Sequence, residues 1–112
     1  MPPEDTTRVR HMIEAARAAV EFKGGRSRAD LDADLMLLFA VVQAIQIIGE
    51  AASRVSQNTR RATPSAPWAS IVGMRNRLVH AYADIDHEVV WKTVTVEIPA
   101  VLPQLAALVS GD

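Results

Sequence analysis

The chain has 112 residues, of which 49% are hydrophobic and 22% charged, proportions that suit one globular domain and exclude a disordered chain. Twelve Lys and Arg against 13 Asp and Glu leave a net charge of −1, so no global positive field draws the chain to nucleic acid or to an anionic membrane, and any polyanion site must be local. The absence of cysteine excludes disulfides, thiolate nucleophiles and sulfur-ligated metals.

Four helical segments are predicted, and no alternating run of β-branched residues competes with them, so an all-α bundle of four helices is expected. In the first, Val9, Met12, Ile13, Ala16, Ala19, Val20 and Lys23 keep helical spacing, and Gly24-Gly25 ends it. Ser27 with Asp30 three residues on matches a capping box, and Asp30, Asp32 and Asp34 suit the positive end of a second helix starting there. Its stripe runs Leu31, Leu35, Leu38, Val42, Ile45, Gly49, Ala52, while Leu37, Val41, Ala44 and Ile48 make a second apolar face. Two apolar faces call for two packing partners. The longest apolar stretch, Leu35 to Ile48, has 14 residues including Gln43 and Gln46, short of the roughly 20 that a membrane span needs, so it reads as a buried helix with no membrane association.

Residues 57–67, Gln-Asn-Thr-Arg-Arg-Ala-Thr-Pro-Ser-Ala-Pro, are predicted as a polar loop, with Pro67 in the first turn of a third helix that runs to about His80. Asp86 is a good N-cap for the fourth helix, with Ile85 and Val90 placed as a hydrophobic staple. Trp91, Val94, Ile98, Leu102, Leu105 and Val109 keep one stripe through Pro99 and Pro103, which favours one kinked helix over a break that would make five. The N-terminal Met-Pro-Pro-Glu-Asp lacks the charged-then-apolar pattern of a signal peptide, so a cytoplasmic chain is expected.

On the third helix, Trp68, Ile71, Val72, Leu78 and Val79 share one stripe with Arg75 and Tyr82, and Arg77 points the opposite way. A guanidinium on the core side must be paired, since an unpaired buried charge is prohibitively costly. Arg75 therefore either makes a structural pair, with Glu50 or an aspartate, or forms a phosphate site. Gly73, Asn76 and His80 lie about 120° round the helix from Arg75, with Gly73 allowing close approach of a backbone or ligand. Arg75 and His80 converge only if the helix unwinds near His80 or a second subunit completes the pocket.

The stretch Gly73-Met74-Arg75-Asn76-Arg77-Leu78-Val79-His80-Ala81-Tyr82 resembles the R-x(4)-H-x-Y signature of HEPN-domain proteins, specifically the HepT toxins of HEPN/MNT toxin–antitoxin pairs. Ile48-Gly49-Glu50-Ala51-Ala52, Pro67-Trp68 with Ile71-Val72-Gly73, and Asp86 with Val90-Trp91 also match the family pattern, so the resemblance covers about residues 8–108. It implies an antiparallel up-and-down HEPN-like bundle acting as a homodimer, and a metal-independent endoribonuclease whose two motifs face a shared cleft. Removing the proton of an RNA 2′-hydroxyl needs a base near neutral pKa, and the phosphorane needs positive charge. The resemblance assigns these roles to His80 as acid or base and Arg75 as phosphate holder, with Asn76 orienting either. Tyr82 would be the acceptor of AMP transferred by the nucleotidyltransferase antitoxin, which loads the cleft with bulk and negative charge. No cofactor is implied.

Glu50 and Arg54 lie at i,i+4 and suit an exposed helix pair, while the Gly49-Glu50-Ala51-Ala52 block suggests Glu50 as a partner for Arg75 or His80. His11 and His87, with only Glu88 adjacent, lack metal-ligand spacing and read as surface residues. Arg8, Arg10, Arg17, Arg26, Arg28, Arg60 and Arg61 extend an RNA-binding surface only if the fold gathers them. Two other classes compete with the ribonuclease: a non-catalytic helical partner subunit of a nucleotidyltransferase that binds nucleotide or presents Tyr82, and a purely structural helical dimer.

Overall fold

Pro3 at the first helical position, followed by Glu4 and Asp5 at the positive end of the helix dipole, starts α1, Pro3–Lys23. The computed structural model describes residues 1–81 and 84–110, the side chains of residues 79–81 excepted. Helix α1 ends at Gly24, whose φ of 44° lies in the left-handed region that favours glycine. Both hydrogen bonds of the Ser27/Asp30 capping box are formed at the start of α2, Arg28–Ala33. The second helix predicted as continuous is in fact two. Asp34 leaves helical geometry, and its carboxylate accepts from the N–H groups of Met36 and Leu37, so it ends α2 and caps α3, Leu35–Ser53. A short carboxylate that can satisfy two orphan donors competes with the helix that would otherwise run through it.

The predicted loop at 57–67 contains a short helix, α4, Gln57–Ala62, capped by the Ser56 hydroxyl on the Thr59 N–H. Helix α5, Trp68–Gly73, then stops far short of His80. The chain turns through a 3-10 segment, Arg75–Arg77, into a small antiparallel ribbon of β1, Val79–Ala81, and β2, Asp84–Ile85. Gly73 is a weak helix former, and the Asp86 N–H closes the excursion on the Leu78 carbonyl at 2.7 Å. Asp86 also caps α6, His87–Lys92, as expected. Helix α6 continues through a π segment, Thr93–Glu97, into α7, Ile98–Val109, one helix and not two. Pro99 has no N–H and crowds the carbonyl four residues back; the widened π turn before it takes up that misfit.

Helix α1 runs antiparallel to α3 and to the C-terminal helix. Asp5 at its start bonds Ser56 and Thr59, beyond the end of α3, while Lys23 at its end lies 5.4 Å from the ring centre of Trp91 in α6. With α5 as the short fourth member, the fold is the expected all-α bundle, closed over Val9, Met12, Ile45, Ile48, Ile71, Met74, Leu78, Val90, Ile98 and Leu105. Leu35–Ser53 and His87–Val109 are long and apolar enough to cross a membrane, but the buried faces of both are spent on this core. Burial pushes the Asp5 carboxyl up, yet hydrogen bonds from Ser56 and Thr59 outweigh it and hold its pKa below the usual carboxylate value.

Candidate active site

The site is built where the 3-10 turn crosses the C-terminal half of α3. Gly49 has no side chain, and a Cβ there would stand 3.1 Å from Cβ and Cγ of Arg75 and 3.2 Å from its Cδ. The aliphatic stem of Arg75 therefore lies against bare helix backbone, and the next residue, Glu50, accepts a hydrogen bond from Arg75 Nη1 through Oε2. The other Glu50 oxygen accepts from Arg54 Nε at 3.2 Å. Both readings of Glu50 hold at once: it is the i,i+4 partner of Arg54 and the anchor of Arg75.

Arg75 is not core-facing as the helical stripe predicted. The helix ends before it, and its side chain keeps 33% exposure. It opens with Asn76 onto a groove of about 910 Å³ between α1 and α3. From α1 the groove is lined by Glu4, Thr7, Arg8 and His11, and from α3 by Gln43, Gln46, Ile47, Glu50, Ala51 and Arg54. A guanidinium carries five N–H donors in a fixed fork. Glu50 engages Nη1, which leaves donors free for an anion entering the groove, with the Asn76 amide beside them. Arg77 faces away, as expected, and its Nη2 meets Glu97 at 3.4 Å and the Ser70 carbonyl at 3.4 Å. One turn of chain thus separates a structural arginine from one presented to the groove.

The unwinding on which Arg75 and His80 depend to converge does occur: His80 stands in β1, past the end of the helix. Its side chain, and the whole of Tyr82, lie outside the described residues. Gly73 has open space beside it, with nothing within 4 Å of a notional Cβ, so close approach by this chain's own backbone is not its role. His11, read from sequence as a surface residue, is exposed but belongs to the groove. Nothing in the local sequence marks it, because only the packing of α1 on α3 brings it opposite Arg75.

His87 and Arg28 sit in a separate charged clasp. His87 Nδ1 is 2.6 Å from Asp32 Oδ1, and Arg28 bridges Asp32 at 2.5 Å and Glu88 at 2.8 Å, tying α2 to α6. The hydrogen bonds from His87 and Arg28 hold the Asp32 carboxyl below its usual range. Of the other candidate arginines, Arg26 pairs with Asp34 at 2.8 Å and Arg60 donates to the Ala52 carbonyl at 2.8 Å. Among the described residues no three His, Asp or Glu side chains are grouped to hold a metal ion.

Residues 12–108 match the family described as HepT-like, Ribonuclease HepT-like. Among curated relatives, a protein of Methanocaldococcus jannaschii named as an RNase is 33% identical over 90 residues, 80% of this chain and 83% of its own. One from Thermococcus cleftensis, named as a ribonuclease HepT, is 38% identical over 89 residues, 80% of this chain and 81% of its own. A third, from Caldanaerobacter subterraneus and named as an RNase, is 30% identical over 102 residues, 91% of each chain. No solved structure matches the chain significantly. An all-α HEPN-like bundle with an arginine presented at a groove, and a family match over most of its length, place the chain in the HepT-like ribonuclease family, a family of RNA-cleaving enzymes.

Proposed function

We propose that this protein is the toxin of a HEPN/MNT toxin–antitoxin pair and cleaves RNA without a metal, through Arg75 and His80. The observation that carries the reading is the cradle of Arg75. Arg75 does make the ion pair with Glu50 that a structural role calls for, but its stem is also laid on the bare backbone of Gly49 and its remaining donors open with Asn76 to a groove, which a pair made for stability alone does not require. In the reaction the RNA 2′-oxygen loses its proton to a base and bonds to the adjacent phosphorus. The P–O5′ bond breaks, and the leaving 5′-oxygen takes a proton. The products are a 2′,3′-cyclic phosphate and a 5′-hydroxyl. An imidazole serves as base or acid at neutral pH, the role given to His80. Arg75 balances the charge of the phosphorane, and Asn76 orients the phosphate or His80.

The acting form is a homodimer. Leu35, Met36, Phe39 and Ile47 form an exposed apolar edge on α3, with Met36 at 83% and Phe39 at 55% exposure, and this edge runs into the groove at Ile47. A partner seated there brings two Arg75 groups towards one cleft. A nucleotidyltransferase antitoxin would silence the enzyme by AMP transfer to Tyr82, since added phosphate charge competes with RNA for the same guanidinium. The test is incubation of purified protein with total RNA, with and without EDTA, followed by analysis of the fragment ends. EDTA-resistant fragments ending in cyclic phosphate are expected. Intact RNA, from protein shown by mass to carry no AMP, transfers the reading to a non-catalytic nucleotidyltransferase partner.

A further inference from the structure

Two arginines on α1 stand apart from the rest. Of the ten arginines of the chain, eight donate to a carboxylate or carbonyl of their own protein. Arg10 and Arg17 are the two arginines whose side chains make neither an ion pair nor a hydrogen bond among the described residues. They are seven residues apart, two helical turns, and so lie on one face of α1, and both are exposed. That face borders a second depression of about 630 Å³ between α1 and the end of α7, bounded across from them by Ala106 and Val109. Glu14 shares its lining and pairs with neither arginine.

The two depressions are joined. Thr7 and His11 line both the Arg75 groove and the Arg10/Arg17 depression, so they form the crest of α1 over which one passes into the other. Six of the ten arginines are ion-paired with carboxylates and Arg60 and Arg61 are held on backbone carbonyls, so Arg10 and Arg17, in line beside the groove, are the two arginines that keep all their donors for an external anion. Resting on the ribonuclease reading above, we infer that α1 carries a second RNA subsite. The strand leaves the Arg75 groove across Thr7 and His11, and Arg10 and Arg17 hold phosphates distal to the cleaved one. His11 meets the strand at the crossing, where its imidazole donates to a phosphate or stacks on a base. The subsite supplies binding and register, not chemistry.

The test compares wild-type protein with an Arg10→Gln, Arg17→Gln double variant and with Arg61→Gln, an arginine that lines neither depression and is held by the Gln57 carbonyl. The probe is a fully 2′-O-methylated single-stranded RNA, which cannot form the cyclic phosphate, read by fluorescence anisotropy at several salt concentrations. The double variant is expected to bind roughly tenfold more weakly, and its slope of log affinity against log salt to fall by about 1.4, two phosphates at about 0.7 each for a single strand. On cleavable RNA the loss falls in KM. Arg61→Gln keeps the wild-type affinity and slope. Wild-type protein that binds and cleaves, beside a double variant of unchanged affinity and slope, overturns the subsite and leaves the ribonuclease reading standing. Wild-type protein that neither binds nor cleaves removes the ribonuclease reading and the subsite with it. Thermal melts of the variants confirm that they are folded, as substitution of exposed, unpartnered side chains predicts.

Discussion

Gly49→Ala puts the cradle under direct strain. The added methyl would meet Cβ and Cγ of Arg75 at 3.1 Å and Cδ at 3.2 Å, against about 3.5–4.0 Å for comfortable carbon contacts, so Arg75 must withdraw by about half an ångström. Overpacking of this kind costs about 1–3 kcal/mol, while replacing glycine in a helix interior returns about 1 kcal/mol. The net loss is then about 0–2 kcal/mol, a fall in Tm of no more than about 8 °C. Activity is expected to suffer more, because misplacement of a reacting group by about 1 Å costs up to about 100-fold. Single-turnover cleavage and a thermal melt on the same preparation separate the two effects. An Arg75→Ala background removes the Cγ and Cδ contacts and keeps only the Cβ contact at 3.1 Å, so the same Gly49→Ala substitution is expected to be less destabilising there than in wild type. Full activity in Gly49→Ala, or the same destabilisation with and without the Arg75 side chain, would refute the cradle.

The Arg75–Glu50 and Arg54–Glu50 pairs are half-exposed, so Glu50→Ala should change stability by less than about 1 kcal/mol while lowering cleavage about tenfold as Arg75 loses its anchor; calorimetry and initial rates check the two halves. Asp5 binds Ser56 and Thr59 with its charged form, and its pKa is depressed, so its stabilisation is complete above the unfolded carboxylate value near 4 and is lost as pH falls through the lower folded value. Asp5→Asn should cost about 2 kcal/mol at neutral pH and flatten the acid limb of a stability-against-pH profile measured by chemical denaturation. Phe39→Asp, on the exposed edge of α3, should shift a homodimer to monomer in sedimentation and lower activity with it; an unchanged sedimentation coefficient places the dimer contact elsewhere.

The helices with apolar period were readable because burial alone sets that period: α1 and the C-terminal helix fall where the stripes of Val9 to Lys23 and Trp91 to Val109 put them. Caps were readable too, since Ser27, Asp30 and Asp86 act within three residues of themselves. What escaped was local competition. Asp34 takes a capping role that periodicity does not report, and Ser56 caps a polar helix with no apolar stripe, steadied by Asp5, 51 residues away. The end of the third helix was misplaced because the stripe of Leu78 and Val79 continues past the point where the backbone leaves helical geometry. That difference changes the meaning of Arg75, which moves from a core stripe to a groove wall. Glu50 was legible as a candidate partner, but His11 was not, since its place opposite Arg75 exists only once α1 packs on α3.

Cleavage by Arg75 and His80 acting together is open to a direct kinetic test. Single-turnover rates of Arg75→Ala, His80→Ala and Arg77→Ala would be measured on one RNA, in EDTA and beside wild type. Losses of about 100-fold or more are expected for Arg75 and for His80, and little loss for Arg77, whose side chain is held on Glu97 away from the groove. Cleavage that survives the loss of Arg75 or His80, or that falls equally with Arg77, would contradict the assignment.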